Sequence, residues 1–115
     1  MSHVASLSIT GDTVTVQMSM AEKAEAAHRD LTFPRSSVTS VRAVPDGMAE
    51  VHGIRLPGSY FPDVIMVGTW RSGAGNTFAV CHGSGPAIVI DLAGQHYDRV
   101  VMTVENPQDA VASLS

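Results

Sequence analysis

The chain has 115 residues, of which 44% are hydrophobic, and a formal net charge of −4. That length suits one domain with one real core, and the apolar content excludes a disordered chain. The acidic balance disfavours a general nucleic-acid or anionic-membrane binder, which needs a basic patch to neutralise phosphates.

The single lysine is Lys23, and the six arginines are scattered along the chain. One cysteine, Cys81, leaves no partner for an intrachain disulfide and fits a reducing compartment, so a cytoplasmic location is expected. Met1 to Thr10 has no long apolar run of the kind a signal peptide carries. The longest stretch without Asp, Glu, Lys or Arg runs from Ser72 to Ile90. Glycines, Asn76, His82 and Pro86 interrupt it, so it reads as a hairpin and not as a membrane span.

Ala5, Leu7 and Ile9 alternate with Ser6, Ser8 and Thr10. Val14, Val16 and Met18 alternate with Thr13, Thr15, Gln17 and Ser19. Each run puts apolar side chains on one sheet face and hydroxyls on the other, and Gly11-Asp12 between them makes a hairpin turn. Ser19-Met20-Ala21-Glu22 then matches a capping box, and the alanine-rich run to Arg29 predicts a short helix after the second strand. Its apolar face, Met20, Ala24 and Ala27, is small. Leu31 to Pro34 predicts a short strand at an edge or strand end, because Pro34 limits pairing. Val38 to Val44 predicts a further strand, and Pro45-Asp46-Gly47 a turn.

Residues 45 to 63 hold three prolines and three glycines. They read as the longest irregular segment, with one helical turn around Met48 to Val51. Four strands are expected next in succession, VIMVGTW, NTFAVCH, AIVIDL and YDRVVMTV, joined as a meander by RSGAG, GSGP and AGQH. Asn106, Pro107 and Asp109 then start a C-terminal helix as N-cap, first helical residue and first-turn acid.

Several segments together resemble a known family: MAEKAEAAH, LTFPRSSVTSVRAV, GIRLPG, VIMVGTW, the 78–80 and 86–92 runs, and YDRVVMTVENP. It is a family of small uncharacterised bacterial proteins, mostly actinobacterial, and the resemblance covers nearly the whole chain. It implies a pleckstrin-homology-like barrel in a single domain, 1–115: about seven strands in two antiparallel sheets, closed by a C-terminal helix. It implies no catalytic residues.

Phosphoinositide binding is the familiar role of that fold and relies on bases around the first hairpin loop. Here the loop carries Asp12 and no base, so no specific phosphoinositide binding is expected. The histidines show no metal-ligand spacing, and Cys81 and His82, adjacent on a strand, point to opposite faces, so no metal and no other cofactor are expected. Cys81 reads as a small buried residue. No GxSxG is present and no base can be assigned to Cys81, so no catalytic residue is named. Gly73-Ala74-Gly75 and Gly83-Ser84-Gly85 lack the lysine of a phosphate loop and read as turns.

The 52–63 loop is the candidate surface. Arg55 and Tyr60 are residue types enriched at interface hot spots, Phe61 adjoins them, and Arg71 follows close after Trp70. The plain alternative is that Tyr60 and Phe61 merely cap the core. The sequence therefore points to a non-enzymatic interaction module. Its expected partner is a protein, with a second copy of the chain among the choices, and not nucleic acid. The competing function is a small-molecule binder or enzyme with a pocket beside the 52–63 loop.

Overall fold

The computed structural model describes residues 6–19, 30–73 and 75–114, without the side chain of Pro57. The helix expected from Met20 to Arg29 lies outside the described residues. Nine strands and a C-terminal helix are seen among them: β1 (Ser6–Thr10), β2 (Thr13–Gln17), β3 (Leu31–Pro34), β4 (Val38–Val44), β5 (Ile54–Phe61), β6 (Ile65–Ser72), β7 (Gly75–His82), β8 (Ala87–Leu92), β9 (Arg99–Thr103) and α1 (Pro107–Leu114). Short 3-10 turns occupy Arg35–Ser37 and Met48–Glu50. The second is the helical turn expected near Met48.

β1, β2 and β3 form a three-stranded antiparallel sheet whose register is fixed by the hydrophobic alternation. Leu7 faces Val16, Ile9 faces Val14, and Val14 faces Phe33. Val14, Val16 and Phe33 are buried, while Ser6, Thr10, Thr13 and Thr32 on the other face are exposed. At the end of β2 the Met18 N–H donates to the Asp30 carboxylate at 2.9 Å.

The other six strands form one sheet in the order β4-β8-β9-β7-β6-β5. Several expectations fail here. The sheets hold nine strands and not the about seven that the resemblance implies: eight are read from the residues, and β5 emerges as the ninth from the segment read as irregular. The meander is also broken, since β7 pairs with β9 in parallel and not with β8. The four residues 83–86 carry the chain past β9, across two strand spacings of about 4.8 Å each, which four extended residues can span. The larger sheet is therefore mixed and not antiparallel. Among the described residues it remains open, with β4 and β5 at its edges, and no closed barrel is formed.

Burial on both faces holds this sheet. On one face Val67, Phe78, Val80, Ile88, Ile90, Val100 and Met102 pack against Val14, Val16 and Phe33 of the small sheet. Leu114 joins the same core, with Ala110 and Val111 against it, and α1 lies against β4 and β8. The Ala110 N–H donates to the Asn106 carbonyl at 3.2 Å, so the helix starts where the sequence places it. Its last turn is met by Arg35, which donates to the Ser113 carbonyl at 3.2 Å, where the helix dipole favours a cation. No helix among the described residues is long and apolar enough to cross a membrane.

On the opposite face Met66, Trp70, Ala79, Cys81, Ala87, Val89 and Val101 form a second core with Val44, Val51 and Met48. The 45–53 segment crosses this face. Asp46 accepts the Met48 N–H at 3.0 Å and starts the turn, and the Gly47 N–H donates to the Gly85 carbonyl at 3.2 Å. Gly47 has ordinary helical dihedrals, φ −65° and ψ −38°, so conformation does not demand a glycine there. Space does. A Cβ would lie 2.6 Å from the Ala87 Cβ and 3.2 Å from the Cys81 Sγ.

Gly47→Ala should therefore destabilise the fold through overpacking, by about 1–3 kcal/mol in denaturant unfolding. Gly85→Ala, with open space around its Cβ, is the control. Equal stability of Gly47→Ala and wild type would mean that the 45–53 segment is not seated on this face.

Candidate functional site

β5 is an edge strand, and its sequence shows why it was hidden. Pro57 and Gly58 interrupt the alternation of IRLPGSYF, and proline is confined to edges and bulges of a sheet. The β5–β6 register does slip at that point, from Leu56 opposite Thr69 to Gly58 opposite Gly68. The return to β6 is a tight turn in which the Val64 N–H donates to the Phe61 carbonyl at 2.9 Å. Asp63 adopts φ +61° there, a left-handed conformation that Asp tolerates, and its carboxylate is held by the Ser84 hydroxyl.

The candidate residues Arg55, Tyr60, Phe61 and Arg71 thus lie on strands and not on a loop. The sheet divides them. Arg55 stands opposite Trp70 and Tyr60 opposite Met66, on the face of the second core. Phe61 stands opposite Ile65 and Arg71 opposite Ile54, on the other face. Arg71 also donates through Nε to the Asn76 Oδ1 at 3.2 Å, across to β7. Arg55 and Tyr60 therefore share one face of the sheet edge, and Arg71 is not on it. The Tyr60 ring meets the buried Trp70 ring at right angles with centroids 6.4 Å apart.

Tyr60 is 45% exposed and Phe61 67% exposed, so neither is sealed in the core. Ile54 at 72%, Leu56 at 39% and Val64 at 59% are exposed with them. Among the described residues these five are the exposed large hydrophobics, and all belong to β5 or its turn. Ile54, Leu56 and Val64 were missed in the sequence. A strand-like alternation from Ile54 to Leu56 was the available signal, and Pro57 hid it.

A cavity of about 300 Å³ lies at the other end of the second-core face, lined among others by Glu50, His52, Thr77, Asp91, Asp98 and Arg99. Its charges are mostly paired. Arg42 donates to Glu50 at 3.2 Å. Arg99 Nε donates to one Asp91 oxygen at 2.7 Å, and the Ser40 hydroxyl to the other at 2.8 Å. Asp98 accepts the Asn76 N–H at 2.9 Å. Burial alone would raise the Asp91 pKa, but the Ser40 and Arg99 hydrogen bonds, with the charges of Arg99 and Arg42, outweigh it and hold the carboxyl below its ordinary range.

Cys81 is fully buried, with Sγ 3.8 Å from the Val101 carbonyl. Burial first, and the nearby Asp46 charge second, push its thiol up to about 12, so it holds its proton and is no nucleophile at neutral pH. Its neighbour His82 sits opposite Ile65 while Cys81 sits opposite Met66, so the two do point to opposite faces. Among the described residues no three His, Cys, Asp or Glu side chains come together to hold a metal ion.

No family model, curated protein or solved structure matches the chain.

The depressed Asp91 pKa fixes a pH dependence. The ionised form is favoured by folding, so its contribution is present above the ordinary carboxylate range and is lost as pH falls through the folded pKa. Asp91→Asn should be less stable than wild type at pH 7, by under about 1 kcal/mol for so exposed a pair. The gap should close in acid. A gap that persists unchanged at pH 2 would show that the Asp91 charge is not its cause.

Proposed function

We propose that this chain is a non-enzymatic interaction module, cytoplasmic, that binds a protein partner along β5. The observation that carries the reading is the concentration of exposed apolar side chains on a sheet edge that, among the described residues, has no further strand beside it. Each fully buried side chain of this size is worth about 1.5–3 kcal/mol relative to exposure. A partner that covers Ile54, Leu56, Tyr60 and Phe61 recovers part of that. Pro57, the bulge and Arg55 guard the same edge against indiscriminate pairing, which favours a specific partner.

Nucleic acid and phosphoinositide head groups fit less well. The net charge is −4, and Arg42 and Arg99 are already committed to Glu50 and Asp91. A pleckstrin-homology-like ancestry agrees with two sheets and a C-terminal helix, and agrees less with an open mixed sheet of six strands. The second reading is a small-molecule binder, favoured by the polar cavity beside His52.

The test is capture from the native cell with immobilised wild type, Arg55→Ala and Tyr60→Ala, identified by mass spectrometry. Both variants should lose the captured partner while circular dichroism and Tm change little. Equal capture by all three would reject β5 as the contact surface. Native mass spectrometry of the purified chain separates the second reading, because a retained small molecule lost on Asp98→Ala would favour the cavity.

A further inference from the structure

We infer that the partner of β5 is a second copy of this chain, joined by antiparallel β5–β5 pairing about a two-fold axis between Pro57 and Gly58; this rests on the reading of β5 as the contact surface. The first support is which backbone groups face outward. At Asn76 of β7 both backbone groups turn away from β6. Its N–H donates to Asp98 Oδ2 at 2.9 Å and its carbonyl accepts the Asp98 N–H at 2.9 Å. Asn76 stands opposite Arg71, so the Arg71 backbone bonds to β5. Alternation then turns Thr69, Val67 and Ile65 toward β5 as well, opposite Leu56, Ser59 and Phe61. The outward-facing residues of β5 are Arg55, Gly58 and Tyr60.

The second support is register. Pairing two eight-residue strands along their whole length puts Ile54 opposite Phe61, Arg55 opposite Tyr60 and Leu56 opposite Ser59. In a regular strand, residues five apart would lie on opposite faces. The slip between Leu56 and Gly58 corrects this, because Arg55 and Tyr60 share one face, and Ile54, Leu56, Ser59 and Phe61 share the other. Arg55 and Tyr60 are both outward-facing, so face and hydrogen-bond phase agree in this one full-length overlap. Pro57, which has no N–H, falls at the axis between the two Arg55–Tyr60 pairs.

The third support is charge. Arg55 of each copy meets the Tyr60 ring of the other, an attractive cation–aromatic pair, and Ile54 meets Phe61. Centring the axis on Arg55 would set two guanidinium groups against each other. Centring it on Tyr60 would overlap only the ends of the two strands and leave Arg55 with no residue of the other β5 opposite it. The same arginine thus selects the register and discourages the alternatives.

Light scattering and native mass spectrometry on the wild-type chain should show twice the 12.1 kDa chain mass at micromolar concentration. Arg55→Glu should weaken self-association about tenfold or more. In the full chain, Arg55→Cys combined with Tyr60→Cys should give an intermolecular disulfide on mild oxidation, while either cysteine alone should not. Within one copy the two positions are about 13 Å apart, four strand steps across the bulge, too far to bridge. Because the cysteines remove the side chains that pair, amide exchange of the wild type gives a second readout, with Arg55 and Tyr60 protected only at the higher of two concentrations. A dimer cross-linked by Arg55→Cys alone, or one with those amides unprotected, would overturn the register. A monomer at every concentration would overturn the self-pairing, and the interaction module would still stand if Tyr60→Ala loses capture of a different protein.

Discussion

The insertion of β9 between β7 and β8 is the constraint on which this structure depends. Val100 and Met102 point into the core against the small sheet, and Val101 points into the second core. All three are completely buried. Burial of such side chains contributes about 1.5–3 kcal/mol each, against about 0–1 kcal/mol for a partly exposed ion pair. The Arg99–Asp91 bridge at the start of β9 therefore tunes the register but does not set it. Two-sided burial sets it, and it requires that both faces of the large sheet be covered.

The two coverings differ, and the difference creates the candidate surfaces. One face has a whole second sheet and α1 upon it. Among the described residues the other has only the 45–53 segment, pressed close enough at Gly47 that no side chain fits. Past that segment the face becomes polar, around Asp91, Arg99 and the cavity by His52. At the far edge Tyr60 shelters Trp70 from the side but is itself left in solvent. β5 is the last strand of a sheet whose covering stops short of it, so its apolar side chains and its outward backbone groups are exposed together.

Much of this was legible in the residues. The one-face alternation of β1 and β2 located both strands and their register. Leu31 to Pro34 and Val38 to Val44 were bounded as found, because turn residues flank each. Pro107 and Asp109 placed α1. The order of strands was not legible. Short turn-rich links imply pairing of sequence neighbours, yet a four-residue link also reaches over one strand. A signal for two-sided burial was present in the unbroken apolar runs FAVC, AIVI and VVM, which suit strands covered on both faces. For the site, Arg55, Tyr60 and Phe61 are exposed, and their strand was missed because proline in a pairing strand is tolerated only at an edge. Arg71 was grouped by sequence proximity, which says nothing about which face of a sheet a side chain takes.

Cross-strand nuclear Overhauser contacts in the purified chain test the interleaved sheet most directly. The account predicts the parallel pattern between β7 and β9, with Phe78 near Val100 and Val80 near Met102, and the antiparallel pattern between β8 and β9. Direct β7–β8 backbone contacts, with none between β7 and β9, would restore the simple meander. They would contradict the two-sided burial of β9 from which the exposed β5 edge follows.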